Sequence, residues 1–133
     1  MDTLPLVVIG PALASICLFA GLHWLGRLPQ AEALLITIGV ALVLAAIACP
    51  FFTVGGPSGF RNPWVYASDR AWVVSQRLAA CAYSALGLAV IALALVNTTS
   101  AFLLLLIGTT FAAVLISLCS WAVWRRDPCR RDL

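Results

Sequence analysis

Long apolar runs alternate with short polar segments along most of the chain. Four of these runs are long enough to cross a bilayer, because a helix needs about 20 apolar residues to span the hydrocarbon core. They cover about residues 4–25, 32–52, 73–96 and 101–124. Backbone groups in lipid must be paired within their own segment, and the two-residue alternation of a membrane barrel is absent, so each run is predicted to be an α-helix.

The composition supports a membrane protein. Of 133 residues, 63% are hydrophobic and only 10% are charged, and the mean hydropathy is +1.06. Soluble domains are about one quarter charged, and so apolar a surface would aggregate in water. We therefore predict an all-α integral membrane bundle of four transmembrane helices that forms a single domain over residues 1–133.

The arginines predict the orientation of this bundle. All eight basic residues are arginines. Four helices place both termini and the central loop, about residues 53–72, on one side of the membrane. Seven of the eight arginines lie on that side: Arg61, Arg70, Arg77, Arg125, Arg126, Arg130 and Arg131. Because positive loops stay inside, both termini and the central loop are predicted to be cytoplasmic.

The tail over residues 125–133 is strongly basic. Its candidate lipid-binding residues are Arg125, Arg126, Arg130 and Arg131. Basic residues beside a membrane attract anionic headgroups, and they equally suit an acidic protein surface. In a chain this apolar, topology and lipid account for the arginines, and nucleic-acid binding is not expected.

The central loop contains the polar stretch GFRNPWVYASDRAW at residues 59–72. Pro63 disfavours the α region for Asn62 and favours a turn. Ser68 or Asp69 is a candidate N-cap for the third helix. One interpretation is an interfacial loop whose arginines bind lipid phosphates and whose tryptophans anchor it. The other is a fixed recognition surface, because the pattern is more elaborate than anchoring requires.

This stretch resembles the signature of the SdpI family of small bacterial integral membrane proteins. Members often read G-(I/V/F)-R-(T/N)-P-W, a spacer, S-(D/N)-x-x-W and a final (N/H)-R. The present chain has Gln76 where Asn or His is common before the arginine, and Val65-Tyr66 in a spacer that usually contains threonine. The candidate partner-binding residues are Gly59, Arg61, Asn62, Pro63, Trp64, Ser68, Asp69, Trp72 and Arg77.

The resemblance implies a small multi-helix protein of the bacterial inner membrane without catalytic chemistry. The namesake protects a producer cell from its own secreted toxic peptide and signals by holding a repressor at the membrane. The resemblance therefore implies protein binding at the cytoplasmic loop, in toxin immunity or in membrane signalling.

Two other functions fit the sequence. The chain could be an accessory subunit that stabilises a larger membrane complex, or a small transporter or channel formed by an oligomer. Either a membrane-protein partner or a homo-oligomer is expected. No enzyme is predicted, because the chain has one histidine, His23, and no paired carboxylates. No cofactor and no metal are predicted.

Small residues and cysteines complete the prediction. Pairs four residues apart that permit close helix packing are Gly10 and Ala14, Ala41 and Ala45, Ala85 and Ala89, and Gly108 and Ala112. The five cysteines have no paired spacing, and four of them fall in different apolar runs. Buried free thiols are one interpretation, and a shared metal or redox site is the other.

Overall fold

The structure is a computed structural model that describes residues 17–21, 29–51 and 62–129. The regular elements of these ranges are all helical. Residues 17–21 are helical, and the rest of the predicted helix over residues 4–25 lies outside the described residues. The other elements are α1 (Gln30–Ala48), a 3-10 turn (Cys49–Phe51), α2 (Pro63–Tyr66), α3 (Asp69–Ala94) and α4 (Thr98–Arg126).

Three of the described helices, α1, α3 and α4, are long and apolar enough to cross a membrane. Helix α3 lies between the other two, because α1 and α4 each pack extensively on α3 and only slightly on each other. The short helix α2 lies against the start of α3 and the end of α4. The motif stretch is therefore built at one end of the bundle.

The second predicted helix differs from the observed one. The prediction ran over residues 32–52, whereas α1 begins at Gln30 and ends at Ala48, followed by the 3-10 turn. Pro50 explains the early end, because its ring nitrogen carries no hydrogen for the carbonyl of Ala46. Glu32 in the first turn is favourable at the positive end of the helix dipole.

Capping residues make the last two helices longer than predicted. The predicted loop over residues 53–72 contains α2 and the first turn of α3, because Ser68 caps α3. Residues 97–100, which connect the predicted third and fourth helices, instead form the start of α4. There, the Asn97 side chain accepts a hydrogen bond from the Ser100 amide at 3.1 Å. A side-chain oxygen that satisfies a free amide in this way fixes where a helix begins.

Helices α1 and α3 approach closely at a pair of facing glycines. A Cβ atom on Gly39 would lie 2.8 Å from the carbonyl oxygen of Gly87, and a Cβ on Gly87 would lie 2.6 Å from that of Gly39. Small residues permit such backbone contact in lipid. This crossing was not among the predicted pairs.

The predicted small-residue pairs differ in whether they lie in a contact between helices. Ala85 and Ala89 are both exposed, so that pair does not form a helix contact in the described structure. Gly108 packs against the side chain of Leu86, and Ala112 is buried, which places that pair in the α3–α4 contact. Gly10 and Ala14 lie outside the described residues.

The apolar core lies in the half of the bundle near the α3–α4 turn. It is formed by Leu35, Leu86, Val90, Ala94 and Ala101. The prediction of buried cysteines is wrong: Cys17, Cys81 and Cys129 are exposed, and Cys49 and Cys119 are partly exposed. A small apolar thiol is equally tolerated on a helix face that meets lipid, so burial does not follow from the apolar surroundings. All five cysteines are free.

Candidate functional site

The first part of the site is the short helix α2. Asn62 has extended backbone (φ −150°, ψ 167°), as predicted from the proline that follows it. Its side-chain oxygen accepts a hydrogen bond from the amide of Val65 at 2.9 Å. Pro63 occupies the first helical position, where a missing amide hydrogen costs nothing. The Asn-Pro pair therefore starts a helical turn rather than an open loop.

Ser68 connects this turn to two long helices. Its side-chain oxygen accepts a hydrogen bond from the amide of Ala71 at 3.1 Å, which caps α3. Its hydroxyl also donates to the carboxylate of Asp127, the residue that ends α4. Of the two predicted candidates, Ser68 is the N-cap, and Asp69 lies in the first turn. One buried hydroxyl thus ties the start of α3 to the end of α4.

Asp127 is held in its charged form. The hydrogen bond from Ser68 lowers the pKa of this carboxyl group, and the amide of Cys129 and the charge of Arg70 lower it further. The Cys129 amide donates to the second carboxylate oxygen at 3.0 Å. Beside these groups is a small polar pocket of about 90 Å³, lined by Ala67, Ser68, Asp69, Asp127 and Cys129. The carboxylate is therefore an ionised structural group at neutral pH.

Trp72 is an internal support. It is only 1% exposed, and its ring lies 5.7 Å from that of Tyr66, centroid to centroid, at an angle of 59°. Tilted aromatic pairs of this kind are favourable. Among the described residues, the indole N–H has no hydrogen-bond acceptor, and neither has the buried side-chain nitrogen of Asn62. Trp72 holds α2 against α3 and does not present its ring to a partner.

A second polar contact joins α3 to α4 below the first. The hydroxyl oxygens of Ser75 and Ser120 lie 2.5 Å apart. Ser75 also reaches the carbonyl of Ala71 at 2.5 Å, and Ser120 reaches that of Ile116 at 2.6 Å. Two hydroxyl protons serve these three contacts, so only two of them are hydrogen bonds at any moment. The pair remains satisfied in either arrangement.

The two serine contacts define the register of α3 and α4. Ser68, the N-cap of α3, lies seven residues before Ser75, and Asp127, the C-cap of α4, lies seven residues after Ser120. Antiparallel helices that meet at heptad spacing keep the same faces together along their length. We call residues 62–72 together with residues 124–129 the motif cap.

The motif cap brings together six of the predicted partner-binding residues. Pro63 and Asp69 are exposed, Asn62 and Trp64 are partly exposed, and Ser68 and Trp72 are buried. Arg77 is exposed but lies on α3 outside the cap, about 13 Å along the helix axis from Ser68. Gly59 and Arg61 lie outside the described residues.

Of the predicted lipid-binding arginines, Arg125 and Arg126 form the exposed last turn of α4. The guanidinium carbon of Arg125 lies 5.2 Å from the ring centroid of Trp121, a cation–π geometry. Positive charge there also favours the negative end of the helix dipole. Arg130 and Arg131 lie outside the described residues.

Two residues of these contacts, Asp127 and Ser75, were not predicted, whereas the hydrogen bonds of Ser120 to its own helix and to a neighbour agree with what its sequence position predicts. The signal of these contacts in the sequence is the equal heptad spacing of a polar residue pair near the start of α3 and near the end of α4. In residues 17–21, 29–51 and 62–129, no three histidine, cysteine, aspartate or glutamate side chains converge as ligands for a metal ion.

Comparison with known proteins identifies the motif. Residues 56–120 match the sequence model of the SdpI/YfhL protein family, which confirms the resemblance predicted from the motif. Searches of the curated proteins and of the solved structures gave no significant match. With its three long apolar helices, the chain is thus a multi-pass membrane protein, and its residues 56–120 are similar to the SdpI/YfhL family.

Proposed function

We propose that this SdpI-type membrane protein is non-enzymatic and acts by binding a protein partner at its motif cap. The function is toxin immunity or membrane signalling. The observation that carries the proposal is that the family motif forms an ordered structure joined to the end of α4 through Ser68 and Asp127. A loop that served only as an interfacial anchor would not need these side-chain contacts.

The proposed topology has four transmembrane helices, with both termini and the motif cap on the cytoplasmic side of the bacterial inner membrane. The helices are α1, α3, α4 and the apolar run over residues 4–25. The support is the arginine distribution, since Arg70, Arg77, Arg125 and Arg126 all lie toward the motif-cap end of α3 and α4. A cytoplasmic cap would meet a regulator, and the helices or the outer surface would meet a toxin.

The motif cap has both buried residues that hold its shape and exposed residues that a partner can contact. Buried Ser68 and Trp72 hold its shape, while Pro63, Tyr66 and Asp69 are exposed on it. A surface that is ordered before binding loses less conformational entropy when it binds. Exposed aromatic and charged side chains on such a surface provide the contact area and the specificity.

The test is complementation of a deletion strain challenged with the peptide toxin that the cells or their neighbours secrete. We expect deletion to sensitise the cells and the full-length protein to restore protection. The Asp69→Ala variant should lose protection at unchanged membrane abundance. Ser100→Ala, an exposed serine in the first turn of α4, is the control and should protect fully.

The same assay has a clear contrary outcome. If Asp69→Ala protects fully, the exposed motif surface has no recognition role in immunity. If protection and membrane abundance fall together, Asp69 has a structural role instead. A reporter for a membrane-held regulator, measured with the same two variants, tests the signalling form of the proposal.

A further inference from the structure

A single exposed stripe runs along α3 from the motif cap into the apolar part of the helix. Its members, each three or four residues after the last, are Arg70, Val73, Arg77, Cys81, Ala85 and Leu88. Residues at this spacing lie on one face of a helix. Two arginines thus share a face with apolar residues that continue toward the other end of the bundle.

The helix register gives the depth of Arg77. The Ser75–Ser120 contact places Arg77 level with Leu118 of α4, and the Gly39–Gly87 contact places it level with the Cys49–Phe51 turn of α1. From Arg77 to the α3–α4 turn at Leu95 is about 27 Å along the axis. A hydrocarbon core is about 30 Å thick. Arg77 therefore lies at the edge of the core, at the depth where α1 ends.

Arg77 has no carboxylate in its surroundings on the described elements. One turn away on α3, in both directions, are Val73, Val74, Ala80 and Cys81. The residues at the same depth on the neighbouring elements are also not acidic. They are the 3-10 turn Cys49–Phe51 after α1 and Leu118 of α4. A guanidinium at the edge of hydrocarbon needs an anion, and it matches a phosphate with two parallel hydrogen bonds.

We propose that Arg77 and Arg70 form a binding site for the headgroup of an anionic phospholipid of the adjacent leaflet. Arg77 binds the phosphodiester, Arg70 adds a second positive charge about 10 Å further from the core that favours a headgroup of net negative charge, and the acyl chains lie along the apolar part of the stripe. Arg77 lies outside the motif cap and Arg70 lies at its edge, so a lipid bound there fixes the height of the cap above the membrane.

The experiment uses the full-length protein in nanodiscs of phosphatidylcholine with or without phosphatidylglycerol, and lipid retention is measured by native mass spectrometry. Arg77→Gln should lower the preference for phosphatidylglycerol about fivefold, the factor for one basic residue near an anionic surface. Arg126→Gln makes the same charge change at the exposed end of α4, where the basic tail is expected to attract anionic headgroups without a defined site, and it should have a smaller effect. Arg77→Lys keeps the charge but not the two parallel donors of the guanidinium, so it should retain part of the preference and lie between the wild type and Arg77→Gln.

Three results would overturn the proposal. An unchanged preference in Arg77→Gln would mean that no headgroup binds there. Equal losses in Arg77→Gln and Arg126→Gln would mean that only the overall surface charge matters. A loss in Arg77→Lys as large as in Arg77→Gln would mean that the charge of residue 77 is not what holds the lipid. The immunity and signalling assays test Asp69 on the motif cap, whereas the lipid assay tests Arg77. Either proposal can therefore fail without the other.

Discussion

The hydroxyl of Ser68 donates a hydrogen bond to the carboxylate of Asp127 while its oxygen caps the amide of Ala71. Residues 59 positions apart in the chain are joined in this way. The family motif is therefore attached to the end of the last helix, and a change at either residue is expected to affect both.

Replacing Ser68 by alanine should destabilise the protein. Loss of an N-cap costs about 1 kcal/mol, and the bond to Asp127 is lost as well. Thermal unfolding in mild detergent should thus show a lower transition for Ser68→Ala than for the control Ser100→Ala, whose side chain is exposed on a helix. Ser68→Thr keeps the hydroxyl and should remain close to the wild type. An unchanged transition in Ser68→Ala would mean that the observed bonds carry no stability.

The pH dependence of this contact follows from the lowered pKa of Asp127. A carboxyl group whose pKa is lower in the folded state stabilises the fold above its unfolded pKa, and this contribution disappears as the pH falls through the folded pKa. The stability difference between wild type and Asp127→Asn should be constant around neutral pH and shrink in acid, below the ordinary aspartate range. Melting temperatures over a pH series measure it. A difference that grew as the pH fell would contradict the assignment.

The serine pair within the bundle should show non-additive mutations. Ser75 and Ser120 share two protons among three contacts, so either serine alone can still bond to its own helix. Each single alanine variant should cost less than about 1 kcal/mol, since hydrogen bonds between membrane helices are worth about 0.6 kcal/mol. In a double-mutant cycle the double variant should lose little more than either single one. Full additivity would mean that the two hydroxyls do not interact.

The glycine crossing between α1 and α3 should be sensitive to one methyl group. A Cβ at residue 87 would meet the backbone oxygen of Gly39, which cannot move without separating the helices. Gly87→Ala should cost about 1–3 kcal/mol, the usual range for overpacking. Gly108→Ala is the matched control, because its Cβ would meet only the flexible end of the Leu86 side chain. Equal effects of the two substitutions would contradict the close backbone contact.

The apolar runs predicted the existence of the long helices because membrane spanning depends on local length and hydropathy. The local signals at Asn62 and Ser68 also predicted backbone conformation and capping correctly. The start of α4 was predicted less well than the start of α3, since Asn97 caps α4 and so extends it into residues 98–100, which lie between the predicted helices.

Contacts between distant residues account for most of what the sequence did not predict. Trp72 stands at the start of an apolar helix, where an interfacial position is common, yet Tyr66 covers it. In the sequence, Asp127 is one of several polar tail residues, and only the fold places it beside Ser68. The Gly39–Gly87 crossing requires facing glycines on two helices, which a search for paired small residues on one helix does not detect.

Site-specific photo-crosslinking in living cells tests whether a protein partner binds the motif cap. A photoactivatable phenylalanine replaces Tyr66 on the cap, and matched aromatic controls replace exposed Phe102 near the α3–α4 turn and exposed Phe111 midway along α4. We expect one discrete protein adduct from position 66 that is absent from position 102 and position 111. The absence of a protein adduct at position 66 would contradict this binding. Adducts from position 111 alone would also contradict it and would favour an accessory subunit that packs through its membrane-facing helix.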